Sequence, residues 1–218
     1  GWVLIFWIIY YYFALMNINP ININVKDGSK IITMIVALTA LGVPVGYLLH
    51  QLYFVVFWVF NKSTRKGLDQ MVEQIEKFPY EKDKQGNKIW GEDTIGDYFH
   101  LEYIWHTVLL KQDENIRLYW EARYRHLLST THALGSLFIS LFVSLLIAFG
   151  IHAVDTIKFT TNLLSFYLLF GLAIQIAVFV SVGVNYVYYS NNMRTLQTKV
   201  MKEYFHSVNG TSSIILSV

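Results

Sequence analysis

Residues 162–189 read NLLSFYLLFGLAIQIAVFVSVGVNYVYY, twenty-eight positions without an Asp, Glu, Lys, Arg or Pro. A helix rises 1.5 Å per residue, so about 20 apolar residues cross a hydrocarbon core of about 30 Å. This stretch is long enough to span a bilayer. Three further charge-free runs flank it upstream, Trp2 to Met16, Ile31 to Phe60 and Ala133 to Ala153. Buried helices of a soluble protein this small would not avoid charge four times over. The runs predict an all-α polytopic membrane protein with four transmembrane helices and a cytoplasmic helical bundle. Residues 1–60 carry spans one and two, 61–132 a helical insertion, 133–190 spans three and four, and 191–218 a C-terminal helix and tail.

Composition agrees with that reading. The 218 residues are 54% hydrophobic and only 15% charged, against about 25% charged in ordinary soluble domains. This excludes a disordered chain and a conventional soluble enzyme. A net charge of +2 gives no reason to expect nucleic acid as a partner. The absence of cysteine excludes a disulfide framework, a thiolate zinc site and an iron–sulfur cluster. The first run is fifteen residues, and the given sequence opens at Gly1 immediately before it, so its helix is expected to begin upstream of the given sequence. No basic leader or small-residue cleavage site points to a signal peptide.

Cationic side chains set the orientation. Lys62, Arg65 and Lys66 follow the second run, Arg123 and Arg125 precede the third, and Arg194, Lys199 and Lys202 follow the fourth. Lys26, Lys30 and Lys158 stand on the other side. The positive-inside bias places 61–132 and the tail in the cytoplasm, with both termini inside and the plasma (inner) membrane as the site. Lys62, Arg65, Lys66, Arg123, Arg125 and Arg194 are expected to anchor at lipid headgroups. The sequons at Asn61 and Asn209 then fall on the cytoplasmic side and read as chance matches.

The segment 61–132 holds 23 of the 32 charged residues, eleven basic and twelve acidic. Leu68, Met71, Val72, Ile75 and Phe78 recur at helical spacing and predict an amphipathic helix ended by Pro79. Gln85-Gly86-Asn87 predicts a tight turn. Asp93 or Thr94 caps a helix running to about Leu110, with Ile95, Phe99 and Trp105 among its apolar positions. Asp113 caps the next. From there to His152, and from Asn162 to Phe205, no proline interrupts the chain, so spans three and four are expected to extend as long helices into the bundle.

Small residues at four-residue spacing mark close helix contacts in lipid. Gly42 and Gly46 form one such face, Ser136, Ser140 and Ser144 a second, and Ala173, Ala177 and Ser181 a third. Each serves either packing inside the chain or a subunit interface. Pro44 predicts a kink in the second span. His50, Gln51, Gln175 and Asn185 are the polar side chains able to line a water path or bond between helices.

Catalytic patterns are few. His100, Glu102 and His106 share a helix, but nothing resembling HExxH accompanies them, and an exposed ion pair accounts for them. Arg125-His126 followed by His132 resembles, over eight residues, the Arg and His motif of HEPN-type ribonucleases. That resemblance would imply Arg125 and His132 acting on RNA at a dimer interface. Arg123 and Arg125 are equally accounted for as headgroup anchors ahead of a span. No phosphate loop, nucleophile elbow or dinucleotide fingerprint occurs.

The expectation is therefore a non-enzymatic homo-oligomer without cofactor or metal, acting as a pore, sensor or membrane effector. Its partners are the lipid bilayer, copies of itself and a cytoplasmic protein. A prokaryotic defence or stress-response subunit fits this plan. The alternatives are an accessory subunit of a larger membrane complex, a membrane HEPN-like nuclease or a metal-dependent enzyme.

Overall fold

Long proline-free apolar runs form helices because lipid leaves the backbone no partner but itself. A computed structural model describes residues 1–15, 28–59, 62–158 and 166–215. Its helices are α1 (Trp2–Leu15), α2 (Gly28–Phe54) with a π-helical continuation Val55–Val59, α3 (Lys62–Glu73), α4 (Thr94–Leu110), α5 (Glu114–Lys158) and α6 (Phe166–Ile215). No strand forms among the described residues; Lys82 and Lys88 make an isolated antiparallel bridge. Three segments are long and apolar enough to cross a membrane: Val36–Phe57, Glu114–Gly150 and Leu168–Val208. They mark the chain as a membrane protein by length and composition. At fourteen residues α1 is apolar but shorter. The orientation above makes Asn17 to Lys30 and Val154 to Thr161 the outer loops; 17–27 and 159–161 lie outside the described residues, whereas 28–30 and 154–158 are helical, as the start of α2 and the end of α5, which corrects those bounds.

The chain divides into two compact units. One, the span unit, contains Gly1–Phe54 and His132–Val187; the other, the charged unit, contains Val55–Thr131 and Tyr188–Val218. α5 and α6 contribute to both.

Aromatic and small side chains build the core of the span unit. Trp7, Tyr11 and Ala14 of α1 pack with Leu141 and Ala148 of α5 and Leu168 and Val182 of α6. Two glycines allow rings into these contacts. A Cβ on Gly135 would collide with the Tyr53 ring, and one on Gly171 with the Tyr10 ring. α2 runs helically through Pro44.

The charged unit has its own core. Leu68, Met71, Val72, Ile75 and Phe78 are all buried, as their spacing predicts, against Leu101, Trp105 and Val108 of α4, Leu127 of α5 and Met201 of α6. The first helix of this core differs from expectation in its end, which falls at Glu73 and not at Pro79. Gln74 and Ile75 donate to the carbonyls of Met71 and Val72 three residues back, and Lys77 takes a φ of 58°. Turns thus carry Ile75 and Phe78 into the core.

The turn at Gly86 forms as expected, with φ 88°. The Asp83 carboxylate accepts from the Asn87 side-chain amide at 3.1 Å and from the backbone amides of Asn87 and Gln85 at 2.7 and 2.9 Å, which together hold its carboxyl below the usual range. Asp93 caps α4 by accepting from the Ile95 amide at 2.9 Å. Of the three apolar positions of α4 named above, Trp105 is buried but Ile95 and Phe99 are exposed. At about 100° per residue Phe99 lies roughly 120° around the helix from Trp105, so one core cannot take both.

Candidate functional site

Polar groups inside a lipid-spanning unit are costly unless they bond within it. Among the described residues of the span unit, two such groups, Gln175 and His50, bond from one helix to another. Gln175, fully buried, donates to the Leu141 carbonyl at 3.1 Å and the Ser144 hydroxyl at 2.5 Å, and accepts from the Tyr11 hydroxyl. One side chain thereby joins α1, α5 and α6. His50 Nδ1 lies 2.6 Å from the Ser136 hydroxyl. The His132 ring stands 5.1 Å from that of Phe54 and 6.1 Å from that of His50. His50 and Gln175 are thus engaged in contacts within the chain, whereas Gln51 and Asn185 face outward.

The three small-residue faces have different uses. Gly42 is buried against Trp2, and Gly46 lies close to Gly1. Ser140 and Ser144 are buried, and Ser136 is half-buried with His50 on its hydroxyl. On α6, by contrast, Ala173, Ala177, Ser181 and Asn185 are all exposed. Ser181 and Asn185 turn their polar atoms back on the helix, Ser181 donating to the Ala177 carbonyl and Asn185 to that of Ser181. The stripe is therefore exposed, with both of these side chains bonded back onto their own helix.

In the charged unit, Arg65 joins α3, α4 and the segment between them. It makes a forked pair with Asp69 at 2.7 and 3.1 Å, bonds Asp97, and lies over the Trp90 ring at 5.2 Å. Burial alone would raise the Asp69 carboxyl, but hydrogen bonds from Arg65 and Trp90 and the charge of Arg65 outweigh it and hold the group below its ordinary range. Burial likewise opposes the Arg65 charge, and the two carboxylates more than restore it. A small cleft of about 200 Å³ opens beside this network, lined by Glu81, Trp90, Asp93, Asp97 and His100 among others.

The headgroup-anchor set divides likewise. Arg65 is bonded within the protein, and the Arg194 guanidinium packs on Gly67, where an added Cβ would meet it at 2.5 Å. Lys66, Arg123 and Arg125 are exposed, and Lys62 opens α3.

The catalytic candidates do not converge. The His100 ring bonds the Pro79 carbonyl at 2.7 Å. Glu102 accepts from Tyr124 at 2.7 Å and Gln197 at 3.0 Å, with His106 at 3.8 Å. Among the described residues no three His, Asp or Glu side chains are grouped to hold a metal ion. Arg125, in the charged unit, pairs with Glu121 at 3.4 Å and is mostly exposed, whereas His132 belongs to the span unit.

Sequence reasoning passed over Gly135 and Gly171. Each is a glycine flanked by apolar residues within a long helix, a signal of close approach, but the ring it meets comes from a helix distant in sequence. Compared with protein-family models, with curated proteins and with solved structures, the chain matches none.

Proposed function

We propose that this protein is a non-enzymatic membrane subunit that assembles with copies of itself and acts as a sensor or membrane effector. Its charged unit, on the cytoplasmic side, receives a signal or docks a soluble partner. On this reading α1 joins the three long spans as a fourth membrane helix, and both termini are cytoplasmic. The observation that carries the reading is the exposed stripe Ala173–Ala177–Ser181 on α6. In lipid, small-residue faces associate because close packing replaces the hydrophobic drive. The faces on α2 and α5 meet other helices of the same chain, and that on α6 is left over. The bonding of His50 and Gln175 inside the chain favours a sensor or effector over a pore lined by those side chains.

The mass of the purified particle in nanodiscs tests this. The native chain and Ser140→Phe are to be compared with Ala177→Phe. A discrete homo-oligomer is expected for the native chain. Ala177→Phe should lower the oligomer mass with the melting temperature unchanged, since residue 177 is exposed. Ser140→Phe should lower the melting temperature, because residue 140 is 4% exposed and overpacking costs about 1–3 kcal/mol. A native particle that is monomeric would overturn self-assembly and favour the accessory-subunit alternative.

A further inference from the structure

A helix at the surface of a charge-rich unit normally turns its polar side outward. α4 does the reverse. Its only charged side chains are Asp97 and Glu102, and both are turned inward. Asp97 bonds Arg65 and the Gly91 amide, and Glu102 accepts from Tyr124 and Gln197. The outer face presents Ile95, Phe99, Tyr103 and Leu110, exposed by 48, 64, 66 and 66%, together with His106. Across roughly 22 Å of helix this face carries no permanent charge. α3, in the same unit, shows Lys66, Gln70 and Glu73 to the outside. A helix that is apolar all round is one that is covered.

We infer that the outer face of α4 pairs with the same face of a second copy, antiparallel about a twofold axis passing near Tyr103. Two features favour this occupant. A membrane surface would call for Lys and Arg along the rim, whereas α4 is preceded by Glu92 and Asp93 and followed by Lys111, Asp113 and Glu114, so acid outnumbers base at its ends. An uncharged face gives a charged peptide nothing to pair with, but it meets its own copy without stripping water from any full charge. In an antiparallel pair Ile95 faces the other copy's Leu110, Phe99 its His106, and Tyr103 its Tyr103. In this register Glu92 and Asp93 of each α4 lie opposite Asp113 and Gln112 of the other, beyond the ends of the apolar face, so the pairing rests on that face and not on its flanks.

The size is also adequate. Four large side chains half to two-thirds open supply on the order of 500 Å² per copy, so about 1,000 Å² per pair, the lower bound for a specific interface. Co-residence in one membrane assembly raises the local concentration and lets such an interface persist. The inference rests on the self-assembly proposed above and assigns the charged unit a part in it.

The chain has no cysteine, so any disulfide formed by a variant is attributable. Full-length Tyr103→Cys, Ala177→Cys and the exposed control Glu73→Cys are to be oxidised in native membranes. Tyr103→Cys is expected to form a disulfide-linked dimer at least tenfold faster than Glu73→Cys, and Phe99→Asp in the same chain should abolish that advantage. Cross-linking at 177 but not at 103 would overturn the α4 pairing and leave self-assembly standing. Cross-linking at neither, with a monomeric particle, would overturn both. Labelling of the Tyr103→Cys variant by a water-soluble maleimide names any other occupant. Free labelling means an open face, and labelling only after detergent means lipid; either result without cross-linking overturns the inference.

Discussion

Gly135→Ala is expected to lower the melting temperature of the detergent-solubilised protein by several degrees, whereas Gly150→Ala leaves it unchanged or raises it slightly. Both glycines lie in α5, where alanine is the better helix former by about 1 kcal/mol. Their surroundings reverse the sign. The added methyl at 135 would sit inside the van der Waals envelope of the Tyr53 ring, which is fully buried, whereas at 150 no atom lies within 4 Å. Tyr53 cannot simply swing aside, because its ring also packs edge-on against Tyr186 at 6.1 Å and lies 5.8 Å from His132. The cost is that of overpacking, about 1–3 kcal/mol and more if α2 must move. Tyr53→Ala together with Gly135→Ala should recover part of the loss if the clash is its source. Equal melting temperatures for the two single variants would remove Gly135 from the list of residues that set the packing of the span unit.

The long helices are legible from sequence because charge-free apolar stretches admit little else in lipid, even where, as at Pro44 of α2, a proline lies within one. Small-residue spacing likewise identifies contact faces, but a period says only that something approaches. Which helix approaches depends on residues such as Trp2 beside Gly42 and Gln175 beside Ser144, more than thirty positions away in sequence. The inversion of α4 has the same origin. Apolar residues cover both of its faces, and the buried face is chosen by Leu101, Ile104, Trp105 and Val108. Arg65 draws Asp97 inward, while Tyr124 and Gln197 do so for Glu102. Helical-wheel arithmetic alone separates Phe99 from Trp105, but it does not say which of them meets water.

Arg65→Met is expected to destabilise the charged unit by about 2–3 kcal/mol and to flatten its dependence on acid. Breaking a buried ion pair by removing one partner costs about 3–5 kcal/mol, because the other charge is left uncompensated. Here Asp97 is the buried partner, with a side chain 9% exposed that would retain the Gly91 amide. Asp69 is 38% exposed, and solvent screens its share, so it adds little. Amide exchange across residues 80–101 reads the local loss. Adding Asp97→Asn to Arg65→Met should restore much of it, since no lone carboxylate then remains. The acid response follows from Asp69, whose carboxyl is held below its unfolded value of about 4. A depressed carboxyl contributes stability that is complete above the unfolded pKa and lost as pH falls through the native one. The native unit should therefore loosen progressively below about pH 4. In Arg65→Met the depression has lost its main source, so stability across that interval should change less. An unaltered acid slope in Arg65→Met would show that Asp69 draws its depressed value from Trp90 and Lys88 without the guanidinium.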